Sequence, residues 1–136
     1  MYYHTSYWGE PHDFLWLGIV QPSLMYQQMK LAYDRNMRKI WVLNVGDIKP
    51  SEYLTEFFLD MAWDINLSGC KSGSGVVFSH LGNWLNQTFG KKTGKELLPL
   101  MKDFYLLSHI RKPEFMGNTR TYDKRHEQIA DLPWST

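Results

Sequence analysis

The hydrophobic pattern of this chain changes character near Pro50. Before that point the apolar residues come in short runs. Ile40-Trp41-Val42-Leu43-Asn44 is compact, β-branched and aromatic, which favours a buried strand. It runs out into Asn44-Val45-Gly46-Asp47, where a strand stops and turns. Tyr2 to Tyr7 is also rich in strand formers, and Gly9-Glu10-Pro11 is the turn after it. His12 to Val20 is apolar and fits a pocket-lining loop or a short helix equally well. Pro22 suits the first position of a helix. Leu24, Met25, Met29, Ala32 and Tyr33 then recur at helical spacing until Asp34-Arg35-Asn36 closes the helix. Strand, helix and strand follow one another within about 30 residues, the size of one βαβ unit. Such a unit favours parallel strands joined by a right-handed crossover.

After Pro50 the pattern is helical. Pro50-Ser51-Glu52 opens a helix whose stripe is Tyr53, Leu54, Phe57, Phe58, Met61 and Ala62, and Trp63-Asp64 ends it. A Gly/Ser-rich loop runs from Leu67 to Gly75. Val77, Leu81, Trp84, Leu85 and Phe89 make a second stripe, stopped by Gly90. Thr93-Gly94-Lys95-Glu96 fits a capping box, so a third helix is predicted to start there. It carries Leu97, Met101, Phe104, Tyr105 and Ser108 and ends at Lys112-Pro113. Glu114 to Thr136 is polar, without a sustained period, and reads as irregular. The fold class is therefore α/β followed by all-α. Two parallel strands cannot hide both of their faces. Either the helices cover this small sheet or more strands belong to it. A strand-like run starting directly after Met1 favours the second, and with it a chain that is a fragment of something larger.

Composition narrows the function classes. At 136 residues and 43% apolar, the chain is long enough for one domain with a real core. A net charge of +1 gives no electrostatic case for nucleic acid or an acidic membrane. No apolar run approaches the ~18 residues that span a bilayer. Met1-Tyr2-Tyr3-His4 lacks the basic and apolar regions of a signal peptide. Cys70 is the single cysteine, which excludes an internal disulfide and a cysteine-rich metal site. Its neighbours, Gly69 and Lys71-Ser72-Gly73-Ser74-Gly75, suggest an inert thiol in a flexible loop. His4, His12 and Asp13 form no known metal-binding spacing, so neither metal nor cofactor is expected. Aromatic residues make up 15%, with six Trp and eight Tyr. That suits a sugar-binding cleft, although large aromatics also fill cores.

Three motifs carry a resemblance. His4-Thr5-Ser6-Tyr7-Trp8-Gly9-Glu10-Pro11-His12-Asp13-Phe14-Leu15-Trp16-Leu17, Asn44-Val45-Gly46-Asp47-Ile48-Lys49-Pro50 and Phe58-Leu59-Asp60-Met61-Ala62-Trp63-Asp64 resemble, in order and spacing, glycoside hydrolase family 115. Lys112-Pro113-Glu114-Phe115 resembles the end of the family's helical domain. The resemblance implies a xylan α-1,2-glucuronidase that removes glucuronic acid or its 4-O-methyl ether with inversion. It implies a carbohydrate partner, glucuronoxylan or aldouronic acids, and a parent enzyme that works in the periplasm or outside the cell. It also implies that residues 1–50 are the last βα units of a (β/α)8 catalytic barrel, the C-terminal βαβ portion. Residues 51–136 are then a helical-bundle segment with an irregular tail.

By the same resemblance the substrate-binding positions fall on Tyr2, His4, Tyr7 and Asn44. Tyr2 and His4, two apart, share one face of a strand. A uronic acid needs hydrogen-bond donors for its carboxylate and hydroxyls and an aromatic plane for its ring, which His, Tyr and Asn supply. Read without the resemblance, His4 fits a core histidine, and Asn44 a turn residue bonding its own backbone. An inverting glycosidase needs a carboxylic acid and a carboxylate about 6.5–9.5 Å apart. Glu10, Asp13 and Asp47 are the candidates, but the resemblance puts the family's acid and base on strands upstream of this chain. Asp47 is expected to fix the turn or the helix start, and Asp13 a neighbouring loop. No catalytic residue is assigned here, and the expected contribution is substrate and water positioning. The competing reading is a small helical interaction module without catalytic activity, its aromatic stripes forming a partner groove. In a fragment, an exposed half-barrel edge and uncovered aromatics invite aggregation or pairing with a second copy.

Overall fold

The structure, a computed structural model, describes residues 1–6, 18–71 and 73–110. Its elements are β1 (Tyr2–His4), α1 (Pro22–Asp34), β2 (Val42–Asn44), α2 (Glu52–Trp63), α3 (Val76–Phe89) and α4 (Lys91–Ile110). Single 3-10 turns, Lys49–Ser51 and Gly73–Gly75, lead into α2 and α3. Tyr7 and the turn after it lie outside the described residues, as do most of the His12 to Val20 segment and the tail.

β1 and β2 are parallel, with Tyr2 opposite Val42, Tyr3 opposite Leu43 and His4 opposite Asn44. The helix between them is the crossover that the sequence spacing predicts. Pro22 opens it, with the Gln21 side chain accepting from the Ser23 amide at 3.4 Å. Asn36 closes it at φ 69°, a left-handed conformation that asparagine tolerates better than most residues. The strands are shorter than the apolar runs. The ladder ends where Thr5 turns both its amide and its hydroxyl onto the Asn44 carbonyl, at 2.9 and 3.0 Å.

Partners in a parallel register point to the same side, so Tyr2, His4, Val42 and Asn44 share one face and Tyr3 and Leu43 the other. The second face meets the helices. The Tyr3 ring stacks on Phe58 of α2 at 6.3 Å, and its hydroxyl donates to Gln28 of α1 at 2.8 Å. Trp41 leans on the same Phe58 at 5.7 Å. Tyr53, Leu54, Phe57, Phe58 and Met61 of α2 are all buried. Burying each such apolar side chain is worth about 1.5–3 kcal/mol, so α2 is the element that the others pack around. Met25 and Met29 of α1, Leu81 and Leu85 of α3 and Tyr105 of α4 complete the core around it. Ala62 falls off the buried stripe and is exposed.

The start of α4 differs from the capping-box expectation. The helix begins at Lys91, and Thr93 lies inside its first turn. Gly90, at φ 81°, makes the break from α3 in a single residue, and its carbonyl accepts the Gly94 amide at 2.8 Å. Gly94 then sits against Asn86, where a Cβ would fall 2.5–2.9 Å from the Asn86 side-chain oxygen, amide nitrogen and Cα. The break at Gly90, rather than a cap at Thr93, marks where α4 begins. Phe89 and Trp84, counted in the second stripe, are half exposed and half-buried respectively.

Candidate functional site

The face of the β-pair turned away from the helices holds three of the four predicted positions. Tyr2 and His4 come from β1 and Asn44 from β2, with Asn44 directly opposite His4. The Asn44 Nδ2 donates to the Tyr2 hydroxyl at 2.8 Å. The Tyr2 and His4 rings meet edge to face, centroids 4.6 Å apart and planes at 78°. The group is accessible, with Tyr2 59% exposed and Val42 beside it 45%. Tyr7, the fourth position, and the carboxylates of Glu10 and Asp13 lie outside the described residues.

This arrangement rests on buried neighbours that the sequence reading left out. Thr5, 3% exposed, fixes the Asn44 backbone through the two bonds to its carbonyl. Asn44 is therefore held by the main chain, which leaves its amide group to Tyr2. A β-branched residue immediately after the strand was the available signal, but only the register shows what its hydroxyl reaches. Gly18, at φ 57°, passes so close to Pro50 that a Cβ there would fall 2.5 Å from the Pro50 carbonyl oxygen. This contact seats the approach to α1 against the junction between β2 and α2. Asp47 is exposed in the turn before that junction. At the helix start itself the ion pair is Lys49 with Glu52, at 2.7 Å, and the Glu52 carboxylate raises the Lys49 ammonium above its ordinary range.

The chemistry offered by this face is binding. The Tyr2 hydroxyl, having accepted from Asn44, can donate its own hydrogen outward. The Asn44 carbonyl oxygen can accept, and the His4 ring lies against Tyr2 beside them. Neither Tyr2, His4, Val42 nor Asn44 carries a carboxylate. Among the described residues no group of three His, Cys, Asp or Glu is placed to hold a metal ion. No described helix is long and apolar enough to cross a membrane.

The sequence model of glycosyl hydrolase family 115 matches residues 1–115. A search of curated proteins finds no significant match. Among solved structures, a family 115 4-O-methyl-α-glucuronidase with specificity for decorated arabinogalactans is 52% identical over 98% of this chain, with a TM-score of 0.78. This chain spans 17% of the length of that protein. A family match over most of the chain, joined to that identity with a solved member, shows that the chain belongs to glycoside hydrolase family 115.

Proposed function

We propose that this chain supplies part of the sugar-binding face of a glycoside hydrolase that removes glucuronic acid, or its 4-O-methyl ether, from a plant glycan. On this reading residues 1–50 are the last βα units of a (β/α)8 barrel and residues 51–136 belong to a helical bundle beside it. Tyr2, His4 and Asn44, with Tyr7, hold the uronic acid and position the attacking water. The observation that carries the reading is the bond from Asn44 to the Tyr2 hydroxyl across the parallel pair, with His4 against the same ring. It orients one outward donor and one acceptor beside an aromatic edge, which is what a uronate and its hydroxyls require.

The reaction is hydrolysis with inversion. One carboxylic acid protonates the leaving glycosidic oxygen, while a carboxylate takes a proton from water on the opposite side of the ring. The face formed by β1 and β2 provides no such pair, so its residues act by positioning, an effect that can still govern rate by orders of magnitude. The resemblance puts the acid and base on other strands of the parent enzyme, so on this reading the isolated chain binds but does not hydrolyse. Glucuronoxylan is the substrate that the sequence motifs favour. The related glucuronidase that acts on decorated arabinogalactans makes a glucuronidated arabinogalactan the second substrate to test. The parent enzyme works in the periplasm or outside the cell.

The test is an amide NMR titration of the labelled chain with an aldouronic acid, alongside an assay for released glucuronic acid. Shifts at Tyr2, His4 and Asn44 that vanish in Asn44→Ala, without release, are the expected result. Glucuronic acid released by the pure chain and lost in His4→Ala would overturn the positioning role. A well-dispersed spectrum that does not respond to the sugar would overturn the binding role.

A further inference from the structure

A second candidate site lies between α2 and α3, away from the sheet. α2 leaves the end of β2 and is 12 residues long, about 18 Å at the helical rise. It carries Glu56, Asp60 and Trp63, four and three residues apart and so on one side of the helix. α3 answers with His80, Asn83, Trp84 and Gln87, spaced three, one and three. These two rows line a cleft of about 370 Å³, within the size range of small-molecule sites.

The cleft is held in shape by its own polar contacts. His80, 7% exposed, meets the Asp60 carboxylate through Nε2 at 2.9 Å. The Trp84 indole N–H donates to Glu56 at 3.0 Å. Asp64 closes the end of α2 by accepting the amides of Asn66 and Ser68 at 3.0 and 2.8 Å. The His80 and Trp84 contacts use one oxygen of Asp60 and one of Glu56, which leaves the second oxygen of each as an acceptor. Asn83 donates to the Cys70 sulfur at 3.8 Å, leaving its carbonyl oxygen. Trp63 stands at the rim with 93% of its surface exposed.

We propose that this cleft binds a neutral sugar ring, a pentose or hexose unit without a charged group. The exposed Trp63 indole offers a flat apolar surface for the ring's C–H face. The free carboxylate oxygens and the Asn83 and Gln87 amides offer partners for hydroxyls that both donate and accept. Glu56, Asp60 and Asp64 line the cleft while neither lysine nor arginine does, so a uronate or phosphate is repelled. A cation meets only two open carboxylate oxygens, one each on Glu56 and Asp60, since both Asp64 oxygens accept backbone amides and the other two are engaged by Trp84 and His80. The inference stands on these residues alone and does not depend on the sheet-face reading.

The test is an NMR titration of the labelled chain with xylobiose, a neutral disaccharide, read at the indole N–H groups of Trp63 and Trp84 and the side-chain amides of Asn83 and Gln87. Saturable shifts there, weakened by roughly tenfold in Trp63→Ala, are expected. Trp63 is exposed, so that variant keeps the fold. Glucuronic acid and butylammonium are titrated in parallel. Absence of shifts with xylobiose, shifts that persist unchanged in Trp63→Ala, or an equal response to either charged compound would each overturn the proposal. The signals of Tyr2, His4 and Asn44 are read in the same spectra, so either site can fail without the other.

Discussion

Two glycines in the helical half make opposite predictions for the same substitution. In a helix interior, alanine is favoured over glycine by about 0.8–1.0 kcal/mol. Gly82 of α3 can take that gain, because a Cβ there meets only the Leu98 Cδ2 at 3.5 Å, an ordinary contact. At Gly94 of α4, the same Cβ would fall 2.5 Å from the Asn86 Oδ1, 2.8 Å from its amide nitrogen and 2.9 Å from its Cα. The side-chain oxygen can swing away. The backbone atoms move only if α3 and α4 separate, and overpacking of that kind costs about 1–3 kcal/mol. The steric cost offsets or exceeds the propensity gain, so Gly94→Ala should lose up to about 2 kcal/mol while Gly82→Ala gains about 0.5–1 kcal/mol. Urea unfolding followed by far-UV circular dichroism measures both against the parent chain, with midpoints compared at a common slope. A Gly94→Ala midpoint raised as far as that of Gly82→Ala would refute the reasoning, because it would mean that the helices do not touch at Asn86.

Tyr53 is 3% exposed and its hydroxyl has no hydrogen-bond partner among the described residues, so Tyr53→Phe should stabilise the chain by about 1 kcal/mol in the same urea assay. Burial holds the phenols of Tyr53 and Tyr105 well above their ordinary range, so the folded chain keeps protons that the unfolded chain gives up above pH ~10. Their contribution to stability is complete below that pH and is lost as pH rises beyond it, by up to about 1.4 kcal/mol per pH unit for each phenol. An absorbance titration should show both ionising only as the chain unfolds, with a shallower pH dependence of stability in Tyr53→Phe. Asp64 is held below the usual carboxylate range by its bonds to Ser68 and Asn66. Its support for the α2 end is therefore present above the ordinary carboxylate pKa and lost as pH falls through the depressed value. Asp64→Ala should lower the thermal midpoint at neutral pH, with the gap to the parent chain closing in acid.

Features set by neighbours in sequence were legible before the structure. The α1 helix follows from Pro22 at its start and Asn36 at its end, and the parallel pairing follows from the length between the two apolar runs. The grouping of Tyr2, His4 and Asn44 on one face needed both the period of a strand and the register of the pair. Features set by distant neighbours were not legible. Thr93 and Glu96 have the chemistry of a cap, but α4 starts two residues earlier, straight after the break at Gly90, and Gly94 packs against Asn86 of α3. Cys70 was expected in a flexible glycine-serine loop. Instead its loop is tied to α3 by the Lys71 amide on the Ser79 hydroxyl at 3.1 Å and by Asn83 on the Cys70 sulfur, and burial pushes the thiol up. The α2–α3 cleft escaped notice for a different reason. Glu56, Asp60 and Trp63 occupy positions that an amphipathic reading assigns to solvent, and only a facing row on α3 turns a polar stripe into a cavity wall.

The same contrast explains how so small a sheet can hold a site. Two strands of three residues make too few ladder bonds to be stable alone. What holds them is on the other face, where Phe58 packs against both Tyr3 and Trp41 and ties the pair to the core of α2. Alternation along the strands then has a functional consequence. Every side chain committed to packing removes its neighbours on either side from packing, and those neighbours are Tyr2, His4, Val42 and Asn44. Tyr2, His4 and Asn44 contribute little to the core and are free to be selected for what they bind. Thr5, buried and bonded twice to the Asn44 carbonyl, joins the two roles, because it fixes the main chain of the residue whose side-chain amide donates to Tyr2.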